Sequence, residues 1–287
     1  MTGLGGGMLT GLSTQIIGNS DFYYSAYPAE FTNSLSGIFD MKMRNGNPNQ
    51  FEHTFQFGVW GLDVSSEGPI NKKKGSSYLF NYRYSYSGLA DKISGSDEGL
   101  DYQDLAFKVN LPTSNMGTFT FWGIGLLDKI TQKPEDNVEK WETISERQEQ
   151  KADFQKGVFG ITHTLPLSGN AYLKTNMGVT YSGTKADNHI YDNELNRMPI
   201  AFATKHETDL QINTFINKRF NAWHTNRTGI SYTGIFYHLN FNTSPNAGLF
   251  HPMERYAYGS GQNNVLYIYS NSLFQLSEQL KLNVGVG

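Results

Sequence analysis

The feature that most constrains this chain is a two-residue alternation of side-chain character. It is cleanest at 78–87, where Tyr78, Phe80, Tyr82, Tyr84 and Tyr86 alternate with Leu79, Asn81, Arg83, Ser85 and Ser87. Successive side chains of a strand point to opposite faces, so this segment divides an aromatic wall from a polar one. The rhythm returns at 105–111, 171–179, 209–217 and 280–286, with Leu105, Phe107, Val109 and Leu111 set against Ala106, Lys108 and Asn110 in the first of these. Segments 117–127, 154–164, 228–241 and 264–276 carry apolar residues on both faces; their β-branched and aromatic content reads as strand. From residue 50 onward no long amphipathic helix is expected, since the best candidate, 136–151, has too few apolar residues for a core face. No run of about 18 uncharged apolar residues occurs, which excludes a membrane-spanning helix.

Composition narrows the classes. Hydrophobic residues make up only 38% of the 287, while aromatics make up 14%, and 30 glycines dilute them. An ordinary soluble core is nearer half apolar and mostly aliphatic. Charged residues, at 17%, are too few for a charge-rich disordered chain. A net charge of −3 offers no electrostatic case for a nucleic-acid partner. The absence of Cys excludes disulfides, thiolate metal sites and thiol nucleophiles.

The connections alternate in length. Tight links are expected at 112–117, 165–170, 221–226 and 277–279, and long polar ones at 88–101, 128–153, 184–205 and 242–263. That alternation puts all short turns at one end of an up-and-down antiparallel sheet, the pattern of outer-membrane β-barrels. Strands of roughly ten residues suit a tilted crossing of the bilayer. Parity then makes 67–75 a short turn, and leaves 50–66 as one inward strand or a tight hairpin. The run Asn45-Gly46-Asn47-Pro48-Asn49 is a strong breaker and marks a domain boundary.

Residues 20–47 read SDFYYSAYPAEFTNSLSGIFDMKMRNGN. This resembles the end of the plug domain of TonB-dependent outer-membrane receptors. Pro28, Ala29, Glu30, Phe31, Asn33 and Gly37 fit that pattern, and Phe39, Met41 and Met43 then alternate with Asp40 and Lys42 in an exit strand. Thr32 departs from it, standing where the family usually has Gly. Glu67-Gly68-Pro69 before SYLFNYRYS, and Tyr102-Gln103-Asp104 before 105–111, look like the first barrel hairpins of the same family. The resemblance covers about the first 130 residues. It implies that 1–48 is the end of a plug and 49–287 the N-terminal part of an all-β, antiparallel, up-and-down transmembrane barrel. It also implies an outer-membrane location, with outer-membrane lipid, the TonB energy-coupling complex and an extracellular solute as partners. About ten strands fit between 50 and 287, whereas plugged lumens belong to barrels of about 22. The chain is therefore expected to be an internal fragment or truncated product holding under half a barrel.

No active site is expected. The seven histidines are scattered without HExxH spacing, no GxSxG elbow occurs, and Gly5-Gly6-Gly7 lacks the GK[ST] of a phosphate loop. The acidic groups Asp97, Asp101 and Asp104, and Asp187, Asp192 and Glu194, lack EF-hand spacing and read as hydrated loops rather than metal sites. Asn81, Arg83, Lys108, Lys174 and Asn176 are the lumen-facing candidates, able to contact a plug or line a solute path. Trp141, Tyr256 and Tyr258, placed in long loops, are candidates for stacking on a sugar or aromatic ligand. No cofactor and no covalent chemistry is expected. Two other readings stand beside this one: a complete small outer-membrane barrel with a structural or adhesion role, and a soluble all-β carbohydrate-binding or hydrolase domain with aliphatic inner and polar outer faces.

Overall fold

A computed structural model gives the architecture and describes residues 13–24, 27–31, 37–58, 61–85, 99–244 and 253–287. Among these residues there is no α-helix. Strands β1 (Asp21–Tyr23) and β2 (Ile38–Asp40) form a small antiparallel pair. The other eleven form one sheet: β3 (Glu52–Gly58), β4 (Gly61–Asn71), β5 (Ser76–Tyr84), β6 (Gly99–Pro112), β7 (Thr118–Gln132), β8 (Gln148–Leu167), β9 (Ala171–Tyr191), β10 (Arg197–Arg219), β11 (His224–Thr243), β12 (Glu254–Gln275) and β13 (Lys281–Val286). Their order in space is their order in sequence, and every neighbouring pair is antiparallel. The edge strands β3 and β13 do not pair with each other.

Several expectations are corrected in detail. Of the two readings open for 50–66 the structure has the hairpin, formed by β3 and the start of β4 with its link at 59–60 outside the described residues, which brings the sheet to eleven strands where about ten were expected. Glu67-Gly68-Pro69 lies inside β4, not in a turn; a register shift between Pro69 and Asn71 accommodates the proline, which has no N–H for the ladder. The turn itself is Lys72–Lys74, a 3-10 turn capped by the Asn71 side chain and ended by Gly75 at φ 67, a left-handed conformation that suits glycine. The 136–151 segment holds two short 3-10 turns, Val138–Lys140 and Ser145–Arg147, before β8 begins.

The long connections are mostly strand. β9 runs to Tyr191 and β10 starts at Arg197, so a nominal loop of 184–205 shrinks to 192–196. Likewise 254–263 belongs to β12. The strands from β8 to β12 are 20 to 23 residues long, about twice what a bilayer crossing needs. Apolar alternation ends where the sheet stops needing an apolar face, but the backbone ladder goes on. Most of 88–101, and 245–252, lie outside the described residues.

Register assigns every strand its faces, since directly paired residues point the same way. One face carries Phe80, Phe107, Phe159, Met177, Ile212, Ile230, Ile268 and Val284 and is open to the surroundings, with Leu266 64% and Ile268 63% exposed. The other face is polar, and part of the 13–48 segment lies on it. There Ile16 is fully buried against Leu79 and Ala106, with Ile17, Met43 and Ile124 around them. Burying one such Ile contributes about 1.5–3 kcal/mol.

Candidate functional site

Polar groups of the covered face and the 13–48 segment meet in a set of defined contacts. The guanidinium of Arg44 grips Glu67 in a fork, at 2.6 and 2.7 Å, and the Asn47 N–H donates to the same carboxylate at 2.7 Å. Arg44 Nε also donates to the Gln15 carbonyl at 2.6 Å. Seven strands away, Arg227 on β11 pairs with Glu30 and lays its guanidinium over the Phe215 ring at 4.7 Å. Tyr267 and Asn271 on β12 hold the Ala29 backbone, the tyrosine hydroxyl donating to its carbonyl at 2.9 Å. Lys108 Nζ donates to the Met43 carbonyl at 2.6 Å, and Ser13 Oγ to Asp63 at 2.8 Å. Gly46 permits close approach: a Cβ there would lie 1.9 Å from the Tyr78 carbonyl oxygen.

The expected plug residues fall in this contact zone where they are described. Pro28 to Phe31 make a turn, with Phe31 N–H bonded to the Pro28 carbonyl at 3.0 Å and the Phe31 ring 5.6 Å from Tyr23. A Cβ at Gly37 would sit 3.0 Å from the Tyr23 carbonyl oxygen. Asn33 and Thr32 lie outside the described residues, as do Gly5-Gly6-Gly7, Tyr86, Ser87, Asp97 and His251.

All five lumen candidates share the covered face. Asn81 is buried and donates to Asp63 at 2.5 Å. Arg83 forks onto the buried Asp104, its Nε 2.9 Å and its Nη2 2.8 Å from Oδ2. Lys174 and Asn176 follow on β9, the latter accepting from Thr162 Oγ1 at 2.9 Å. Sequence alternation missed a sixth member, Trp122. Its indole occupies the space above Gly160, where a Cβ would stand 2.4 Å from Cζ2, and it donates to Thr162 Oγ1 at 3.3 Å. Lys108 stands directly opposite it across β6 and β7. The Gly160 pairing with Trp122 was the available signal, but it requires the strand register.

At the far end of the long strands a second polar cluster forms. Glu149 accepts from Lys151 at 2.5 Å, from Arg197 at 2.7 Å and from the Tyr191 hydroxyl at 3.2 Å. Burial alone would push its carboxyl up; the hydrogen bonds from Lys151 and Arg197 outweigh this and hold it down at about 2. Trp141 is engaged here, with Arg147 5.3 Å over its ring and its Nε1 donating to the Glu135 carbonyl at 2.7 Å. Asp192 caps the 192–196 turn, its carboxyl lowered by hydrogen bonds from the Asn196 side chain and backbone. Tyr256 and Tyr258 stand on β12 rather than in a loop, Tyr256 edge-on to Phe241 and Tyr258 beneath Arg255. Asp101 and Asp104 lie on opposite faces of β6, so they cannot share an ion. Among the described residues no group of three or more His, Asp or Glu is arranged to hold a metal.

No protein-family model matches the sequence, and no curated protein matches it. Solved structures do. The ferric-catecholate import receptor Fiu from E. coli K12, in its open form, superposes with a TM-score of 0.57 at 10% identity, over 95% of this chain and 59% of that one. The ferric yersiniabactin uptake receptor FyuA from Yersinia pestis gives 0.52 at 9% identity, over 82% of this chain and 40% of that one. The sheet thus has the fold of part of these receptors, and the chain spans between 40% and 59% of their length.

Proposed function

We propose that this chain is part of a TonB-dependent outer-membrane receptor, with 1–48 the end of its plug and 49–287 the N-terminal part of its barrel. The reading rests on one observation above others. The 13–48 segment is seated by ion pairs on the polar face of a sheet whose opposite face is an open apolar band. On β9 that band runs from Leu173 to Tyr181, about 20 Å at the usual rise and tilt of a membrane strand, close to the apolar belt of such barrels. Every backbone group in hydrocarbon needs a partner, and the antiparallel ladder supplies it between the two edge strands β3 and β13. The covered face becomes the lumen wall, with Asn81, Arg83, Lys108, Lys174 and Asn176 facing plug and solute path. Long strand ends then carry the loops outside the cell. Binding energy and TonB-transmitted force would shift the plug and pass the solute, without any covalent step in this chain.

The rivals fit less well. Non-pairing of β3 with β13 disfavours a small closed barrel, and the open apolar band disfavours a soluble sandwich with polar outer faces. Ferric chelates are the first solutes to test, because the similar receptors are named for them. The test is uptake of iron-loaded siderophores by cells carrying the full reading frame, with and without TonB, alongside fractionation of their membranes. TonB-dependent uptake and outer-membrane recovery are expected. Recovery in the soluble fraction sinks the reading outright.

A further inference from the structure

Outside the covered face, one cluster stands apart. His206 and His238 are directly opposite each other across β10 and β11, on the open face. They lie one step beyond the apolar band, since Thr208, Leu210 and Ile212 follow His206 on that face, and Phe236 is the next open-face residue before His238. Together with Ser260 and Gln262 they line an open groove of about 540 Å³, and no acidic side chain lines it. The Tyr181 hydroxyl lies 3.0 Å from His206 Nδ1. When it donates there, Nε2 carries the imidazole proton as a free donor. Two cations stand near the groove. Lys185 is exposed and pairs with Thr204, two residues from His206, with Asp153 opposite it on β8. Arg255 covers the Tyr258 ring at 4.7 Å, and that ring meets His238 edge-on at 5.8 Å.

One end of this groove offers the hydrogen-bonding groups of His206, His238, Ser260 and Gln262, with Lys185 and Arg255 outside its lining; the other opens onto Phe236 and the band of Leu210, Ile212, Leu266 and Ile268. That polarity matches an amphiphile with an anionic head. We propose that the groove binds the phosphate headgroup of a membrane lipid, whose acyl chains lie along the apolar band. This rests on the membrane-barrel reading above. It places the phosphate among His206, His238, Gln262 and Ser260, with Lys185 and Arg255 supplying long-range attraction.

The test is native mass spectrometry of the full chain in dodecyl maltoside micelles doped with phosphatidic acid or with diacylglycerol. Phosphatidic acid should be retained about tenfold better, the loss of one good charge-assisted contact being worth roughly that factor. The double variant His206→Ala/His238→Ala should lose that preference, and Lys185→Ala should reduce it several-fold. His206→Gln/His238→Gln, which keeps side-chain donors, should restore part of it. A control pair at the short-turn end, His163→Ala/His224→Ala, should leave it intact, and matching far-UV circular dichroism shows that the variants keep the sheet. Millimolar inorganic phosphate should not displace the lipid. Equal retention of both lipids, an unchanged double variant, or displacement by free phosphate each overturns the proposal while leaving the barrel reading standing. A chain that stays dispersed without detergent and retains neither lipid overturns both.

Discussion

Replacing Glu67 by Gln tests whether charge, rather than apolar packing, seats the 13–48 segment. The carboxylate now takes two bonds from Arg44, at 2.6 and 2.7 Å, and one from the Asn47 N–H at 2.7 Å. The Glu67 side chain is 10% exposed and that of Arg44 34%. A hydrogen bond to a charged group contributes about 1.5–3 kcal/mol. The amide keeps one acceptor oxygen for Arg44, but its NH2 is turned toward donors, and the half-open guanidinium recovers part of its hydration. The net loss should be about 2 kcal/mol, above a surface pair and below the ~3–5 kcal/mol of a broken, fully buried one. Amide hydrogen exchange reads it. Gly18 and Arg44 N–H groups bond to Lys42 and Ile16 carbonyls at 2.6 and 3.0 Å, and so report opening of the segment itself. About 2 kcal/mol corresponds to roughly 30-fold faster exchange at both. Amides in the middle of β9 should not change. Acceleration below about threefold would falsify the ion-pair account and leave the Ile16–Leu79–Ala106 packing as the seat. Equal acceleration in β9 would refute it differently, by showing that the sheet as a whole had weakened.

Three further outcomes are expected. Gly46→Ala should loosen the 13–48 segment without touching charge, because its Cβ would meet the Tyr78 backbone oxygen at 1.9 Å, a contact no side-chain rotation relieves; overpacking of this kind costs about 1–3 kcal/mol and is read by the same Gly18 exchange. Glu149 is held near 2 against an ordinary 4.5, so its cluster stabilises the loop end at neutral pH and loses that stabilisation as pH falls from about 4.5 toward 2. Trp141 fluorescence should shift in that window and should lose the transition in Glu149→Gln. On the barrel reading, Ile268→Arg should destabilise the sheet in a membrane by about 2–4 kcal/mol, and Tyr258→Arg, beyond the band, by at most about 1, measured by urea unfolding in lipid vesicles; equal costs at the two positions would contradict the placement of the band.

Fold class was legible because alternation survives without knowledge of partners. Tyr78 to Tyr84 declare one face and Leu79 to Arg83 the other, and the register keeps that division across the sheet. Loop length was less legible. Sequence rhythm registers only side-chain contrast, and from Thr184 to His189 the chain is largely polar on both faces while its ladder stays paired with β8 and β10. Tyr256 and Tyr258 were misplaced into a loop for that reason. Pro69 misled in the opposite sense, reading as a turn where a bulge absorbs it. Trp122 and the His206–His238 pair were not legible at all, since each depends on which residue stands opposite on the next strand.

The contacts of the 13–48 segment combine two kinds of grip, and they differ in how readily each opens. Packing of Ile16 against Leu79 and Ala106 is local and fully buried, near the strands where the chain enters the sheet. Arg44–Glu67 lies close to it, while Arg227–Glu30 and Tyr267–Ala29 reach the far strands β11 and β12. Those far contacts are polar. The Arg227 and Glu30 side chains keep 33% and 16% of their exposure, so water can replace each partner as the pair opens. A segment anchored firmly at one end, and by exchangeable polar pairs at the other, opens from the far side first. On the receptor reading, that asymmetry starts plug movement by release from β11 and β12, and weakening Arg227–Glu30 should lower the force needed to start it, whereas weakening Ile16 should not.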